Sequence, residues 1–383
     1  MRFQDIYDKF NQKSLSCAEA AEILGISERT FLRKRRRFDD PDFQGAFDRR
    51  LGRISPHRAA DAEVEAVTKL YEQRYQGFSV KHFHDFAKEL HAIERSYSWT
   101  KNTLMRAQLV TKSTRGGKHR LRRPRQPMEG MMIHQDGSKH RWIPGVDRLY
   151  DLIVTLDDAT SRITSAFLVE EEGTFSSMQG IYETIIRYGL FCSFYTDRGG
   201  HYFYTPKAGE KVDKGRLTQV GRALKRLGIR HIPAYSPQAR GRSERLFGTL
   251  QNRLPKELAL HGIQTLEAAN AYIRDHYIPR HNKQFTVPAS EPTSAFTAWA
   301  GPPLREILCI QEERTVQSDN TIHFNGLVLQ IPKSIYRHHY VRCTLMVHRY
   351  DDGCLSVFDG HMCLGRYNRN GQLLEENGLK LAS

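Results

Sequence analysis

The 383-residue sequence has no run of about 20 apolar residues, the length needed to cross a bilayer, so no membrane-spanning helix is expected. Its opening residues, Met1-Arg2-Phe3-Gln4-Asp5, lack the apolar stretch of a signal peptide. It has no Cys-x-x-Cys pair. Its six cysteines, at positions 17, 192, 309, 343, 354 and 363, are scattered. That argues against a disulfide framework or a structural zinc site and for free thiols in a reducing, cytoplasmic setting. Acidic residues are missing altogether between Arg95 and Met128. What is present is a large basic excess, 58 Lys+Arg against 43 Asp+Glu for a net charge of +15, with 39% hydrophobic residues. The apolar content suffices for ordinary cores, and the length suggests two to four domains of about 100–200 residues. The basic excess points to a polyanionic partner.

The charge is unevenly spread. Residues 1–128 carry a net +11 and the remainder +4. The acid-free stretch ends in residues 111–128, where Gly116, Gly117, Pro124 and Pro127 disfavour a helix. It reads as an extended basic linker whose Lys118, Arg120, Arg122, Arg123 and Arg125 track phosphates. Ahead of it lie two all-helical modules. In residues 1–56, Ala18, Ala21, Ile23 and Leu24 form an apolar stripe, Gly25-Ile26-Ser27 makes a tight turn, and a helix over Glu28–Arg37 presents Arg29, Arg33, Lys34, Arg35, Arg36 and Arg37. A helix, a three-residue turn and a basic second helix follow the helix-turn-helix pattern, in which the second helix reads the major groove. The plain alternative is a helical hairpin with a solvated basic face. We assign DNA contact to Arg29, Arg33, Lys34, Arg36 and Arg37. In residues 57–110, Val64, Val67, Leu70 and Tyr71, a break at Gln76-Gly77, then Val80, Phe83, Phe86, Ala87 and Leu90 suggest two helices. Ser98 or Thr100 caps a third. This is a second helix-turn-helix-like module. The spacer over 38–56 reads as a flexible tether, so the two modules would recognise a long bipartite site.

Residues 129–287 change pattern to mixed α/β. Strands are expected over 131–136, 150–158, 163–169, 191–197 and 229–233, the first three antiparallel. Helices are expected over 174–188 and 217–227, and a third helix carries Glu244. Met178, Ile181, Ile185 and Ile186 form the apolar side of the first. Asp136 and Asp197 each end a strand. Three converging carboxylates can bind a pair of divalent cations, which stabilise the entering and leaving oxygens of an in-line phosphoryl displacement. A lone aspartate at a strand end is more often a turn or cap, so the flanking words matter. His134-Gln135-Asp136-Gly137-Ser138, Tyr195-Thr196-Asp197-Arg198-Gly199-Gly200-His201 and the segment Tyr235–Leu250 together resemble the retroviral-integrase-like core of bacterial insertion-sequence transposases, the DDE group. Asp157-Asp158-Ala159-Thr160-Ser161-Arg162 is similar to that family as well.

The resemblance covers about residues 131–277 and implies an RNase H-like α/β core. By it, Asp136, Asp197 and Glu244 are the catalytic, metal-binding acids, taking two Mg²⁺ ions for which Mn²⁺ substitutes. Asp157 and Asp158 would support the site without ligating. Arg240, Arg242 and Arg245 are placed to meet DNA. Two features depart from retroviral integrases: 46 residues separate Asp197 from Glu244, with the polar stretch 204–216 supplying the extra length, and no His-His-Cys-Cys zinc module precedes the core.

A further helix over 266–277 and a Pro- and Ala-rich connector, 288–313, precede residues 314–383. There, short β segments and turns at Asn325-Gly326, Asp352-Gly353 and Asp359-Gly360 suggest a small β-barrel, similar to the SH3-like barrel that follows such cores. His338, His339, Arg342, His348 and Arg349 are candidate DNA contacts within it. The resemblance implies a multidomain DNA transposase. Such an enzyme binds the terminal inverted repeats of a mobile element, cleaves its 3′ ends and transfers them to target DNA. It would act as a homodimer or larger assembly, with no membrane partner, in the bacterial nucleoid. The alternatives are a repressor or architectural protein retaining a silent core, and an RNase H-like nuclease without transfer activity.

Overall fold

The computed structural model describes residues 3–40, 58–111, 124–206, 211–213, 215–235, 241–333 and 337–375. The chain divides into two compact units, Met1–Lys69 and Leu70–Ser383. Among the described residues no helix is long and apolar enough to cross a membrane.

The first unit holds α1 (Phe3–Asn11), α2 (Cys17–Ile23) and α3 (Glu28–Phe38), and the start of α4 (Asp61–Arg74). Ser16 opens α2 with a reciprocal capping box to Glu19, and Ser27 caps α3 by accepting from the Thr30 amide. Gly25, at φ +63°, makes the turn between them. Ile6, Ala20, Ala21 and Phe31 are buried, with Phe3, Phe10, Leu24 and Ile26 around them. The expected stripe is therefore corrected. Ala18 and Ile23 face solvent, because α1, unforeseen in the sequence, covers the side marked by Ala20 and Ala21.

In the second unit, α5 (Val80–Leu90) and α6 (Tyr97–Arg106) follow a turn at Gly77, φ +81°. Ser96, not Ser98 or Thr100, caps α6. α5 is held by polar bonds, the first of them buried, on α9 (Gly241–Leu260) and α11 (Ile278–Phe285). His82 Nε2 lies 2.9 Å from Glu257 Oε1, and Arg253 Nη2 lies 2.9 Å from Asp85 Oδ2, which also accepts from Gln284. This part of the second module is thus seated on the core, while the spacer read over 38–56 lies, from residue 41 on, outside the described residues.

The central sheet comprises β1 (Ile133–His140), β2 (Tyr150–Asp157), β3 (Ile163–Val169), β4 (Ser193–Thr196) and β5 (Arg230–Pro233), in the order β3-β2-β1-β4-β5. β1, β2 and β3 are antiparallel, and β4 runs parallel to both β1 and β5. α7 (Thr174–Tyr188) and α8 (Gln219–Arg226) cover one face through Ile133, Met178, Ile181, Phe194, Val220 and Leu224. Ile186, expected on that apolar side, is 64% exposed, since it falls about a quarter-turn round the helix from Met178 and Ile185. On the other face α9, α10 (Leu266–Tyr272), a π-helical turn (Ile273–Tyr277) and α11 pack Phe247, Leu250, Leu254 and Leu258 onto Leu152, Val154 and Leu156. The helix expected to stop at Tyr277 continues to Phe285, with Pro279 at the start of α11, which follows directly on the π-helical turn.

After α12 (Leu304–Ile307) come β6 (Ile310–Thr315), β7 (Thr321–Phe324), β8 (Leu327–Gln330), β9 (Thr344–Arg349), β10 (Leu355–Asp359), β11 (Met362–Tyr367) and β12 (Leu373–Glu375). They form a five-stranded sheet, β12-β11-β10-β9-β6, and the hairpin β7-β8, around Ile322, Phe324, Val347, Val357 and Tyr367. Asn325 and Gly326 both take positive φ, as the two-residue hairpin turn requires. β6 starts inside the segment read as connector.

Candidate active site

Strand register sets the segments that lead to the first two acids side by side. β1 pairs with β4 at Ile133↔Phe194 and His134↔Tyr195. Two residues further along each chain stand Asp136 and Asp197. Asp136 is not at a strand end: β1 runs on to His140 against β2, and Asp136 faces Val154. It is β4 that stops, at Thr196, so β1 runs on beyond it. Alternation puts Asp136 on the α9 side of the sheet. Its neighbour Gln135 points the other way, to Thr155 and the Ser177 carbonyl. α9 crosses that side, where Gln251 Nε2 donates to Ser138 Oγ at 3.1 Å. Glu244 lies seven residues earlier on the same helical face, about 10.5 Å toward its start. It is exposed, in the first turn of α9.

Asp197 begins an Asx-type turn, with Gly199 N donating to its Oδ1 at 2.9 Å. A Cβ on Gly199 would stand 3.1 Å from that oxygen and 3.0 Å from His201 Cε1, so a side chain there would crowd the carboxylate. No motif marks Glu172, which ends a run of three glutamates before α7. Its Oε2 would lie 2.2 Å from a Cβ on Gly137, next to Asp136, and its Oε1 is 3.5 Å from His201 Nε2. Tyr202 joins these groups. Its hydroxyl donates to Gln135 Oε1 at 2.8 Å. Burial, reinforced by the charges of Glu172, Asp197 and Asp136, pushes that hydroxyl well above the usual tyrosine range. Among the described residues, no three His, Cys, Asp or Glu side chains are gathered closely enough to hold a metal ion.

Asp158 is fully buried, and His134 and Arg242 meet it at Oδ1 while the Gln126 amide donates to Oδ2 at 2.8 Å. Burial alone would raise its pKa. The His134 and Gln126 hydrogen bonds and the charges of His134 and Arg242 outweigh that and hold it far below the carboxylate range. Asp157 is also buried and accepts from Gly130 N and from Thr160.

The expected DNA contacts divide. Arg29, Arg33, Lys34, Arg36 and Arg37 are exposed on α3, whereas Arg35 is half-buried, 3.4 Å from Asp39. Arg245 is exposed. Arg242 is turned inward onto Asp158, with its side chain 12% exposed. Arg125 donates to the Asp158 and Ala159 carbonyls and to Ser161. Lys118, Arg120, Arg122, Arg123 and Arg240 lie outside the described residues. His348, expected at the surface of the β module, is buried against Phe358, and burial lowers its pKa to about 4.

No protein-family model matches this chain. In sequence it is similar to y4bF of Sinorhizobium fredii, which is named as a transposase: 29% identical over 361 residues, 93% of this chain and 78% of that protein. It is also similar to the transposase for insertion sequence IS1202 of Streptococcus pneumoniae: 32% identical over 248 residues, 63% of this chain and 50% of that protein, so it spans half the length of that relative. Among solved structures, the HTLV-2 integrase catalytic core domain in complex with magnesium aligns with 39% of this chain and 88% of its own, at 17% identity and a TM-score of 0.29.

Proposed function

We propose that the chain is an insertion-sequence transposase, as its similarity to two proteins named as transposases supports, and that it binds the terminal inverted repeats of a mobile element, cleaves the 3′ ends and joins them to target DNA. One observation supports the catalytic part: Asp136 and Asp197 each follow by two residues a pair of the β1–β4 ladder, His134↔Tyr195, and α9, which carries Glu244, crosses the Asp136 side of the sheet at Ser138. The donor set is all carboxylate oxygen, the kind Mg²⁺ and Mn²⁺ take. Asp136, Asp197 and Glu244 would hold the ions. Bound there, divalent cations supply charge for the entering and leaving oxygens of phosphodiester exchange. The protein's own part is to hold the acids on rigid elements while Gly199 lets the chain turn away beside Asp197.

On this reading α2 and α3 form a helix-turn-helix whose Arg29, Arg33, Arg36 and Arg37 share one helical face, at spacings of four, three and one residues. The RNase H-like core is supported by the mixed five-stranded sheet, and the C-terminal strands are read as an SH3-like barrel. Joining two element ends calls for at least two copies of the chain. The test uses DNA carrying the gene with its native flanks. Asp136→Ala, Asp197→Ala and Glu244→Ala should each abolish Mg²⁺-dependent cleavage and strand transfer while sparing end binding. Undiminished transfer by any of them refutes the assignment. Band shifts without nicks would favour a repressor, and nicks never joined to a second duplex would favour a simple nuclease.

A further inference from the structure

The buried Asp158 cluster is built from residues that stand two places ahead of each proposed acid. His134, two before Asp136, lies 2.7 Å from Asp158 Oδ1. Arg242, two before Glu244, is paired with the same oxygen. Tyr195, two before Asp197, packs its ring on His134 with centroids 4.9 Å apart. The Asp158 amide donates to the Met132 carbonyl at 3.0 Å, which fixes the turn to the start of β1. One carboxylate thus touches β1 and α9 directly and β4 through His134. The α9 tie matters most, because β1 and β4 are already joined by ladder hydrogen bonds. The first turn of α9 has no such ladder, and Glu244 is carried on it.

We infer that Asp158 is a positioning residue: through Arg242 it sets the height of Glu244 over Asp136 and Asp197. This inference rests on the three-acid reading. The arrangement has a physical logic. Three carboxylates brought together repel one another until cations arrive. The Arg242–Asp158 pair, taken out of water, holds the α9 turn against that repulsion, and its fixed geometry limits how far Glu244 can swing. The end of the basic linker seals the pair, since Gln126 N and Arg125 close over the same turn.

The test uses the full chain and three variants: Asp158→Asn, Arg242→Met, and the double variant, which removes both buried charges together and so keeps a folded protein available. The probes are a supercoiled plasmid carrying the gene with its flanks, Mn²⁺ as the metal, and hydrogen exchange. Asp158→Asn should slow nicking at least tenfold with plasmid KM within twofold. It should speed exchange of the Ser243–Phe247 amides at least tenfold while leaving Leu152–Leu156 of β2 unchanged. The double variant should nick no more slowly than Asp158→Asn. Nicking within twofold of the parent, exchange that rises evenly across the sheet, or additive losses in the double variant would each overturn the inference. If the parent does not nick at all, the transposase reading fails, and the exchange measurement still decides whether Asp158 holds α9.

Discussion

Glu257 offers the sharpest test of how the helices ahead of the core are fixed to it. Its carboxylate is 1% exposed and meets three donors: His82 Nε2 at 2.9 Å, Arg280 Nη1 at 2.8 Å and Tyr272 Oη at 3.0 Å. Breaking a buried ion pair by removing one partner costs about 3–5 kcal/mol. The lower end applies to Glu257→Ala, because Arg280 is 27% exposed and already lies 3.4 Å from Glu89. A loss of about 3 kcal/mol multiplies local opening by roughly 150, at about 1.4 kcal/mol per tenfold. Hydrogen exchange of the Phe83–Ala87 amides in α5 should therefore accelerate by about two orders of magnitude. Acceleration below threefold would refute the view that Glu257 holds α5 on α9. The pH dependence has a definite sign. Burial lowers the His82 pKa, with Arg253 and Lys256 adding to the depression and Glu257 opposing it. Neutral His82 therefore contributes stability that is present above the ordinary histidine value, about 6.5, and is lost as pH falls toward the depressed value. Glu257→Gln removes the opposing influence, so its acid-side loss should extend to lower pH than in the parent.

Two other sites give independent checks. Gly189, at φ +110°, would put a Cβ 2.6 Å from the Thr297 carbonyl, so Gly189→Ala should cost about 2–3 kcal/mol in urea denaturation. Gly77→Ala has positive φ but open space and should cost only about 1 kcal/mol; equal effects would remove the steric argument. Burial and then His201 lower the His231 pKa to about 3, so its contribution falls away as pH drops from about 6.5 toward that value. His231→Phe loses the 3.0 Å contact with Thr196 Oγ1, costing about 1 kcal/mol at pH 7. Its deficit should shrink or reverse by pH 4.5, and a constant deficit in urea midpoints would contradict the burial account.

Much of the core was legible because local signals agreed. α7 and β3 run where hydrophobic period and flanking turn residues put them, Thr174–Tyr188 and Ile163–Val169. Ser27 was readable as a cap since capping needs only a hydroxyl ahead of a helix. The length of β1 was not, because Gly137–His140 is polar and becomes strand only by pairing with the apolar β2. α1 was missed for a related reason: its buried face is completed by Phe31 from α3.

By itself the sequence determined the inventory: a basic first third, three acids in family-like words, and the order of strands and helices around them. Tertiary structure decided which groups share a space. Register along β1 and β4 set His134 against Tyr195 across 60 residues of chain, two places before Asp136 and Asp197. Folding also turned Arg242 from a candidate DNA contact into the partner of Asp158, and seated Glu172 beside Gly137. The physical reason is range. Caps, turns and periodicity act over a few residues and are written locally, whereas desolvation and charge pairing depend on what the rest of the chain brings within a few ångströms.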